Sequence, residues 1–431
     1  MQIQLPFSSF TLRNGLQLIV HEDHSVPIAA VNLWYRVGSK DERPGRTGFA
    51  HLFEHLMFEG SANVPQGQFD ELLEVVGGIN NGSTSTDRTN YWETVPSAAC
   101  ELALFLEADR MGSLPDAMTQ AKLDAQRDVV KNERRQSYEN RPYGLAFETM
   151  HAALYPSTHP YHWPIIGWMP DLDAATLSDV NAFFRRYYVP NNASLCVAGD
   201  VDAQQIHELA EKYFGPIPPA APPAPVSAPL PALSASRASS LEDDVHLPRV
   251  YIAWHSPAMF ETGDAELDVL GAAMSQGKNA RLYRSLVYQN EWAQDVQAFQ
   301  SSALLGSTFN VVVTARPGIE LDRLVEAVWS ELRAAARDLE RIEVQRAVNR
   351  FETSLVDSLQ TVGGFGGRAD RLNHYAFYLN DPDGVQRDLD RYRRIEPDAV
   401  MQAAHTTLLD ASAITLTVLP RARTSPLLVS A

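Results

Sequence analysis

Apolar and polar positions in the first half of the chain follow two different periods, which predict a succession of strands and helices. Residues 10–20 alternate around Asn14-Gly15, a pair that strongly favours a two-residue hairpin turn. Elsewhere, apolar residues recur every second position, as in strands, or every three to four positions, as in helices. Further strands are predicted at residues 29–37, 89–95 and 193–198, and helices at residues 69–76, 97–110, 118–139, 177–187 and 203–213.

The hydrophobic period disappears after residue 215 and returns near residue 250. Pro, Ala and Ser dominate the interval, and this composition is typical of an extended linker. We therefore predict a linker at residues 216–245, between a first domain at residues 1–215 and a second at residues 246–431. The second half repeats the first in outline, with predicted strands at residues 250–254, 296–299, 309–315 and 414–418 and helices at residues 264–274, 280–287, 321–339 and 342–359.

One predicted helix, which follows a polar loop at residues 39–47, carries His51, Glu54 and His55. Because an α-helix turns about 100° per residue, the two histidines stack on one face with the carboxylate beside them. Two neutral imidazoles can hold Zn²⁺, and a neighbouring carboxylate can take a proton from a bound water. The order His-x-x-Glu-His is a known catalytic signature. Thr47 is placed to cap the start of this helix.

Two structural histidines are the alternative interpretation of this string, since chance places it in roughly one chain in fifty of this composition. The context favours a metal site. Apolar Phe49, Leu52 and Leu56 would pack the helix against a core, and further oxygen donors are available downstream.

Composition and charge exclude other classes of function. The net charge is −17, and nucleic-acid binding depends on Lys and Arg that neutralise phosphates. No apolar run is long enough to span a bilayer, and the N-terminal residues show no secretory signal. The two cysteines, Cys100 and Cys196, are predicted to be buried thiols, which fits the cytoplasm, with the periplasm as the alternative. A glycine cluster at residues 363–367 does not follow a strand and predicts a turn, not a phosphate-binding loop.

Four segments of the chain share a pattern with a known family. They are residues 48–60, Gly77 to Thr84, residues 127–134 and residues 190–200. Together they resemble the pitrilysin/insulysin family of zinc peptidases, and most closely its short members of the mitochondrial processing peptidase type and their bacterial relatives. The expected fold is α+β, with two similar α/β halves, each a mostly antiparallel sheet covered by helices.

The resemblance implies a complete zinc site in the first half. His51, His55 and Glu133 would bind one Zn²⁺, and Glu54 would act as the general base and then as the acid toward the leaving amine. Seven residues before the ligand glutamate, the family usually has a second glutamate, where this chain has Gln126. Glutamine can orient a neighbouring ligand, although it carries no charge.

Asn81 and Thr84 resemble the part of the family pattern that forms an edge strand beside the metal. There a substrate peptide adds as an extra strand and is bound through its main chain, which suits extended or unfolded substrates. A polar turn after Gly78 is the alternative interpretation.

The second half departs from the family pattern. Active single-chain relatives carry an Arg and a Tyr seven residues apart that stabilise the oxyanion, and here Val287 and Gln294 occupy those positions. The resemblance therefore implies a heterodimer in which a homologous subunit supplies the Arg/Tyr pair. Arg281, Tyr283 and Arg284 would be local substitutes, or else ordinary helix residues. A self-sufficient homodimeric peptidase and a non-catalytic assembly or chaperone-like subunit are the competing functions.

Overall fold

Two compact units, each assembled from three segments, make up the chain. The structure is a computed structural model that describes residues 2–421, so residues 422–431 of the predicted second domain lie outside the described residues. The first unit comprises the residues up to Arg134, Ser157–Ala228 and Arg350–Arg393, and the second comprises Arg135–Pro156, Pro229–Asn349 and the residues from Arg394 onward. Nothing in the sequence indicated that each unit takes segments from both halves of the chain. The predicted domain boundaries, on either side of a linker at residues 216–245, stay a prediction.

The first unit is built on a six-stranded sheet. Its strands are β1 (Ser8–Thr11), β2 (Gln17–Glu22), β3 (Ile28–Tyr35), β4 (Ile79–Thr84), β5 (Thr89–Pro96) and β6 (Ala193–Gly199). Their order is β1-β2-β6-β3-β5-β4, and every neighbouring pair is antiparallel except β2 with β6. Strand β4 is therefore at an edge of the sheet.

Helices surround this sheet. They are α1 (Phe49–Leu56), α2 (Gln68–Val75), α3 (Cys100–Ala117), α4 (Gln120–Arg134), α6 (Met169–Asp173), α7 (Leu177–Tyr187), α8 (Ala203–Tyr213), α12 (Arg368–Leu379) and α13 (Gly384–Arg393). The predicted limits of α7 and α8 agree with the structure because a side chain caps each start. Thr176 accepts from the Asp179 amide and Asp202 accepts from the Gln205 amide.

The second unit contains a five-stranded sheet in the order β7-β11-β8-β10-β9. Its strands are β7 (Arg237–Asp243), β8 (Arg249–Ser256), β9 (Ala293–Ser301), β10 (Ser307–Ala315) and β11 (Ile414–Pro420), and its helices are α5 (Ala146–Leu154), α9 (Asp264–Ser275), α10 (Leu321–Asp338) and α14 (Pro397–Ala404). Helix α11 (Arg341–Ser358) continues from this unit into the first. All pairs except β7 with β11 are antiparallel, so the predicted fold class of two mostly antiparallel sheets with helices is confirmed.

The structure corrects three sequence predictions. The end of the predicted linker forms β7, which pairs with β11 although its mostly exposed, polar side chains give no hydrophobic period. The helix predicted at residues 280–287 is a π-helical segment, Tyr283–Gln289. Helices α12 and α13 were missed, because charged residues interrupt the apolar period of both.

Helix α12 packs on β3 and β6 and places His374 in a half-buried position of the first unit. Burial, together with the positive charges of Arg371, Arg88 and Arg391, lowers the pKa of His374 to about 3. A histidine of the unfolded chain takes up a proton near pH 6.5. The unfolded state therefore binds more protons than the folded state below pH 6.5, and the free energy of unfolding falls as the pH falls from 6.5 toward 3.

We expect His374 to contribute a loss of up to about 1.4 kcal/mol of unfolding free energy per pH unit below pH 6.5. Urea unfolding at pH 7 and pH 5 measures this loss, and His374→Gln should reduce it by about 2 kcal/mol between these two pH values. The exposed His246→Asn variant serves as the control and should keep the wild-type dependence. An unchanged dependence in His374→Gln would contradict the assignment.

Candidate active site

Three side chains from two helices converge at one point in the first unit. Helix α1 presents His51 and His55 with their ring centres 4.8 Å apart, and α4 brings Glu133 to them. Glu133 Oε2 lies 3.6 Å from His51 Nε2 and 3.3 Å from His55 Nε2. Within the described residues this is the one group of three or more His, Cys, Asp or Glu side chains whose donor atoms lie close enough to share an ion, all within 4.8 Å of one another.

The spacing of the Glu133 oxygen from each histidine nitrogen fits a zinc ion. Tetrahedral zinc with bonds of about 2.0–2.2 Å separates its ligand atoms by roughly 3.3–3.6 Å. The two nitrogen-to-oxygen distances of 3.6 and 3.3 Å agree with that separation. Two imidazoles and one carboxylate are also the donor set of catalytic zinc sites that keep a fourth position for a water or a substrate.

The surroundings keep the donors in the protonation states that a cation requires. Burial lowers the pKa of His51 to about 4, and the neighbouring His55 contributes in the same direction. The pKa of Glu133 is lowered, chiefly by its hydrogen bond with His55. At neutral pH His51 is therefore a neutral imidazole and Glu133 an anion, as metal ligands must be.

Glu54 lies beside these donors, between α1 and the edge strand. Its Oε2 accepts a hydrogen bond of 2.6 Å from the Thr84 hydroxyl. Burial raises the pKa of Glu54, and the hydrogen bond from Thr84 opposes that rise. Gly82 leaves room for the carboxylate arm, since a Cβ at residue 82 would lie 3.2 Å from Glu54 Cγ. Two residues on one face of β4 thus position the Glu54 carboxylate.

The start of α1 differs from the sequence prediction. Thr47 does not cap the helix; its hydroxyl donates to Asp171 at 2.7 Å and accepts from the Trp168 amide at 2.9 Å. The N-cap residue is Gly48, whose φ of +82° suits glycine and whose missing side chain allows close contact with the Ile166 carbonyl. The tertiary bonds of Thr47 therefore replace the expected local one.

Glu42 supplies the acceptors that the N-terminus of α1 needs. Its two carboxylate oxygens accept from the Gly48 amide at 2.9 Å and the Ala50 amide at 2.8 Å. Burial raises the pKa of Glu42 well above its ordinary value, and the carboxylates of Asp41 and Asp171 add to the rise. One side chain thus satisfies two of the donors that a helix leaves open at its start.

We expect Glu42→Ala to lower the free energy of unfolding by about 2 kcal/mol, because two partly buried amides lose their acceptor. The same change should weaken zinc binding, since the turn that precedes His51 would fray. Urea unfolding and zinc titration measure the two effects. Glu71→Ala, an exposed position on α2, is the matched control and should leave both unchanged. Wild-type values for Glu42→Ala would rule out the capping role.

Gln126 does not contact the three donors. Its amide nitrogen donates at 2.5 Å to one oxygen of Glu59, and Gln66 donates to the other. Glu59 is buried and follows His55 by four residues, so this pair ties α4 to the end of α1. Gln126 therefore acts on the arrangement of the two helices, and its predicted effect on a ligand would be indirect.

Strand β4 presents two different faces. Its metal-site face carries Gly82 and Thr84, which contact Glu54. Its opposite face carries Ile79, Asn81 and Ser83, because side chains alternate along a strand. Asn81 is exposed, and its Oδ1 accepts from the Gly82 amide at 2.8 Å. The role of Asn81 and Thr84 in substrate binding stays a prediction.

The residues singled out in the second half lie in the second unit. Arg281 is buried and bound by the carboxylate of Glu343, at 2.8 and 2.6 Å, and by Asp338. These ion pairs occupy the guanidinium, so Arg281 does not serve as a spare oxyanion donor. Val287 is half-buried in the π-helical segment, and Gln294 is exposed on β9.

Sequence reasoning missed three residues that shape the site. Glu42 and Glu59 carried no local signal, because their partners follow them by six to 67 residues. Gly82 did carry one, since a glycine inside a strand pattern often marks a close approach of another group.

Two family profiles match most of the chain. Residues 17–163 match the profile described as insulinase, peptidase family M16, and residues 174–351 match that of the peptidase M16 inactive domain. The chain is 30% identical over 420 residues to the zinc protease PqqE of Helicobacter pylori. This alignment covers 96% of this chain and 92% of that protein. It is 24% identical to the probable mitochondrial-processing peptidase subunit beta of Arabidopsis thaliana, over 80% of this chain and 66% of that protein.

Solved structures agree in fold. The crystal structure of a protease from Helicobacter pylori matches with a TM-score of 0.89 and 28% identity, over 97% of this chain and 100% of that chain. A peptidase M16 inactive domain from Pseudomonas fluorescens matches with a TM-score of 0.85 at 17% identity, over 98% and 100% of the two chains, which supports the fold alone. Among the described residues, no helix has the length and apolarity that crossing a bilayer requires.

Proposed function

Because this chain belongs to peptidase family M16, we propose that it is a zinc-dependent endopeptidase that hydrolyses extended peptides or unfolded segments. The observation that carries the proposal is the convergence of His51, His55 and Glu133 beside Glu54. The name of the Helicobacter relative, a zinc protease, supports the same metal and reaction.

The residues divide the work between holding the ion and moving protons. His51, His55 and Glu133 would hold the zinc, which when bound supplies a Lewis acid that polarises the scissile carbonyl and acidifies water. Glu54 would accept a proton from the water while the Thr84 hydroxyl, which donates to its Oε2, holds the carboxylate in place. Its raised pKa lets the same carboxyl return the proton to the leaving amine. The main chain of the substrate would pair with the outer edge of β4, beside Asn81.

The proposal includes a homologous partner subunit. Val287 and Gln294 provide no cationic or phenolic donor where the family pattern has Arg and Tyr. Loss of oxyanion donors costs about 10²–10³-fold in rate, so a partner that supplies the pair would restore much activity. The Arabidopsis relative is itself named as the beta subunit of a processing peptidase, which supports a division of labour between related chains.

A non-catalytic assembly subunit is the second candidate, and the match of residues 174–351 to an inactive-domain profile favours it. The convergence of His51, His55 and Glu133 beside Glu54 opposes it. For the compartment, the buried free thiols of Cys100 and Cys196 support the cytoplasm. Burial raises the pKa of Cys100 to about 12, which makes this thiol unreactive.

The decisive experiment measures hydrolysis of a quenched-fluorescent peptide library by the zinc-loaded chain, alone and mixed with a homologue that carries the Arg/Tyr pair. We expect weak turnover alone and an increase of about 10²–10³-fold in the mixture. Full activity of this chain without the homologue would contradict the heterodimer and support a self-sufficient peptidase. No hydrolysis in either condition would favour the assembly subunit.

A further inference from the structure

The outer edge of β4 borders two surfaces of different character. The metal-site face, with Gly82 and Thr84, adjoins Glu54. The opposite face, with Ile79, Asn81 and Ser83, adjoins β5 and the loop that leads into α12. A peptide strand added to this edge would send alternate side chains to each face, so half of its side chains would meet the opposite face.

Two apolar side chains, Ile79 and the buried Trp92, lie on the opposite face of β4 and β5, and Phe365 of the loop at residues 363–367 packs against Trp92. Ile79 is 61% exposed and Phe365 is 51% exposed. Trp92 pairs in register with Asn81 on the neighbouring strand, and its ring meets the edge of Phe365 at 5.5 Å between centroids. Two large apolar residues so exposed beside an unpaired sheet edge form a surface that gains stability when another apolar group covers it.

The glycine-rich loop at residues 363–367 holds Phe365 in place. Gly363 lies against the sheet so closely that a Cβ there would come within 2.1 Å of Thr94 Oγ1. The Gly366 amide donates to Asp370 at 2.8 Å, and the other oxygen of Asp370 accepts from Trp34 Nε1 at 2.9 Å. The loop is therefore anchored to the sheet, and the exposed ring of Phe365 is a fixed part of the surface.

The apolar cluster ends where β4 approaches Arg88. The Arg88 guanidinium stacks on the Trp34 ring at 4.9 Å and donates to the Ser83 carbonyl at 2.9 Å. The opposite face thus changes from apolar beside Ile79 and Asn81 to cationic beside Ser83. The apolar part of the opposite face is therefore confined to the beginning of β4, beside Ile79 and Asn81.

We propose that Ile79, Trp92 and Phe365 form a specificity subsite that takes one bulky aliphatic or aromatic side chain of the peptide substrate, on the sheet face opposite the zinc ligands. The subsite rests on the proposed peptidase function and adds to it a substrate class: extended peptides with an apolar residue at a fixed distance from the cleaved bond. The main chain paired with β4 sets that distance, because strand residues alternate rigidly between the faces.

Two measurements test the subsite. In the first, fluorescence anisotropy measures the affinity of zinc-loaded Glu54→Gln protein for two fluorescein-labelled Thr/Ser peptides. One peptide contains a single phenylalanine and the other contains none. Phe365→Ala in this background should weaken binding of the phenylalanine peptide about ten- to a hundredfold and that of the other peptide less than twofold. Val75→Ala, an 80% exposed position at the end of α2, is the matched control and should change neither.

In the second, mass spectrometry locates the bond that the wild-type protein cleaves, with the partner present if it is needed. We expect cleavage at one fixed distance from the phenylalanine, and scattered cleavage in Phe365→Ala. Equal weakening of both peptides, or an unchanged cleavage position, would overturn the subsite. A peptide that binds through Phe365 without being cleaved would overturn the peptidase proposal alone. Dissociation of a homodimer in Phe365→Ala with unchanged peptide binding would assign the surface to a second copy and overturn the subsite.

Discussion

Glu54→Gln should abolish most turnover while the protein keeps its full zinc content. Glutamine has the size of glutamate and can still accept from the Thr84 hydroxyl, which donates to Glu54 Oε2 at 2.6 Å. It cannot take up a proton, and loss of a general base costs about 10²–10⁴-fold in rate. The three proposed ligands are untouched, so the metal should stay.

Peptide hydrolysis, under the condition in which the wild-type chain is active, and zinc analysis of the same samples check this expectation together. Glu74→Gln, an exposed carboxylate on α2, is the control and should retain both properties. Loss of zinc along with activity would show that Glu54 acts mainly on the metal site and not as the base. Retained turnover would place the base elsewhere.

Glu133→Gln should release the metal. The carboxylate is the only anionic donor of the three, and its oxygen lies 3.3 Å from His55 Nε2 and 3.6 Å from His51 Nε2. A neutral amide is a much poorer partner for Zn²⁺ than a carboxylate. Changes outside the ligand set already cost 10–100-fold in metal affinity, so loss of a ligand should cost more than about 100-fold.

Competition with a chromophoric chelator measures the zinc dissociation constant of this variant. Asp128→Asn, a neighbouring position on α4 whose side chain is 74% exposed, should bind zinc like the wild type. Thermal unfolding of both variants separates metal loss from general destabilisation. Unaltered zinc affinity in Glu133→Gln would remove this residue from the ligand set.

The two faces of β4 border the proposed metal site and the proposed specificity subsite. One face holds the proposed base through Thr84 and leaves space for it at Gly82. The opposite face offers the apolar cluster of Trp92 and Phe365. Since neighbouring residues of a paired peptide point to opposite faces, one strand can place a bond at the metal site and an apolar side chain in the subsite.

Features that depend on neighbouring residues were predictable from the sequence. The i, i+4 spacing of His51 and His55 placed both on one face of α1, because helix geometry is local. The limits of α7 and α8 followed from short-range capping by Thr176 and Asp202. The assignment of Glu133 rested on family resemblance, since nothing within α4 itself points to a metal.

Where local signals ended, sequence reasoning failed in identifiable ways. Thr47 was expected to cap α1, but its hydroxyl bonds Asp171, 124 residues away, and Glu42 performs the capping. Capping preference is worth only about 1 kcal/mol, so a better tertiary partner overrides it. Strand β7 was missed because main-chain pairing with β11, not a hydrophobic face, forms it.

By itself, the sequence determined the helix that bears His51, Glu54 and His55, most of the strands of the first sheet, and the family. Only the tertiary structure decided that Glu133 reaches those histidines, that Thr84 and Gly82 contact Glu54, and that α12 joins the first unit through contacts such as Asp370 with Trp34. The physical reason is range. Dihedral preferences and periodicity act over a few residues, whereas the choice of packing partners depends on many weak contacts summed over distant segments.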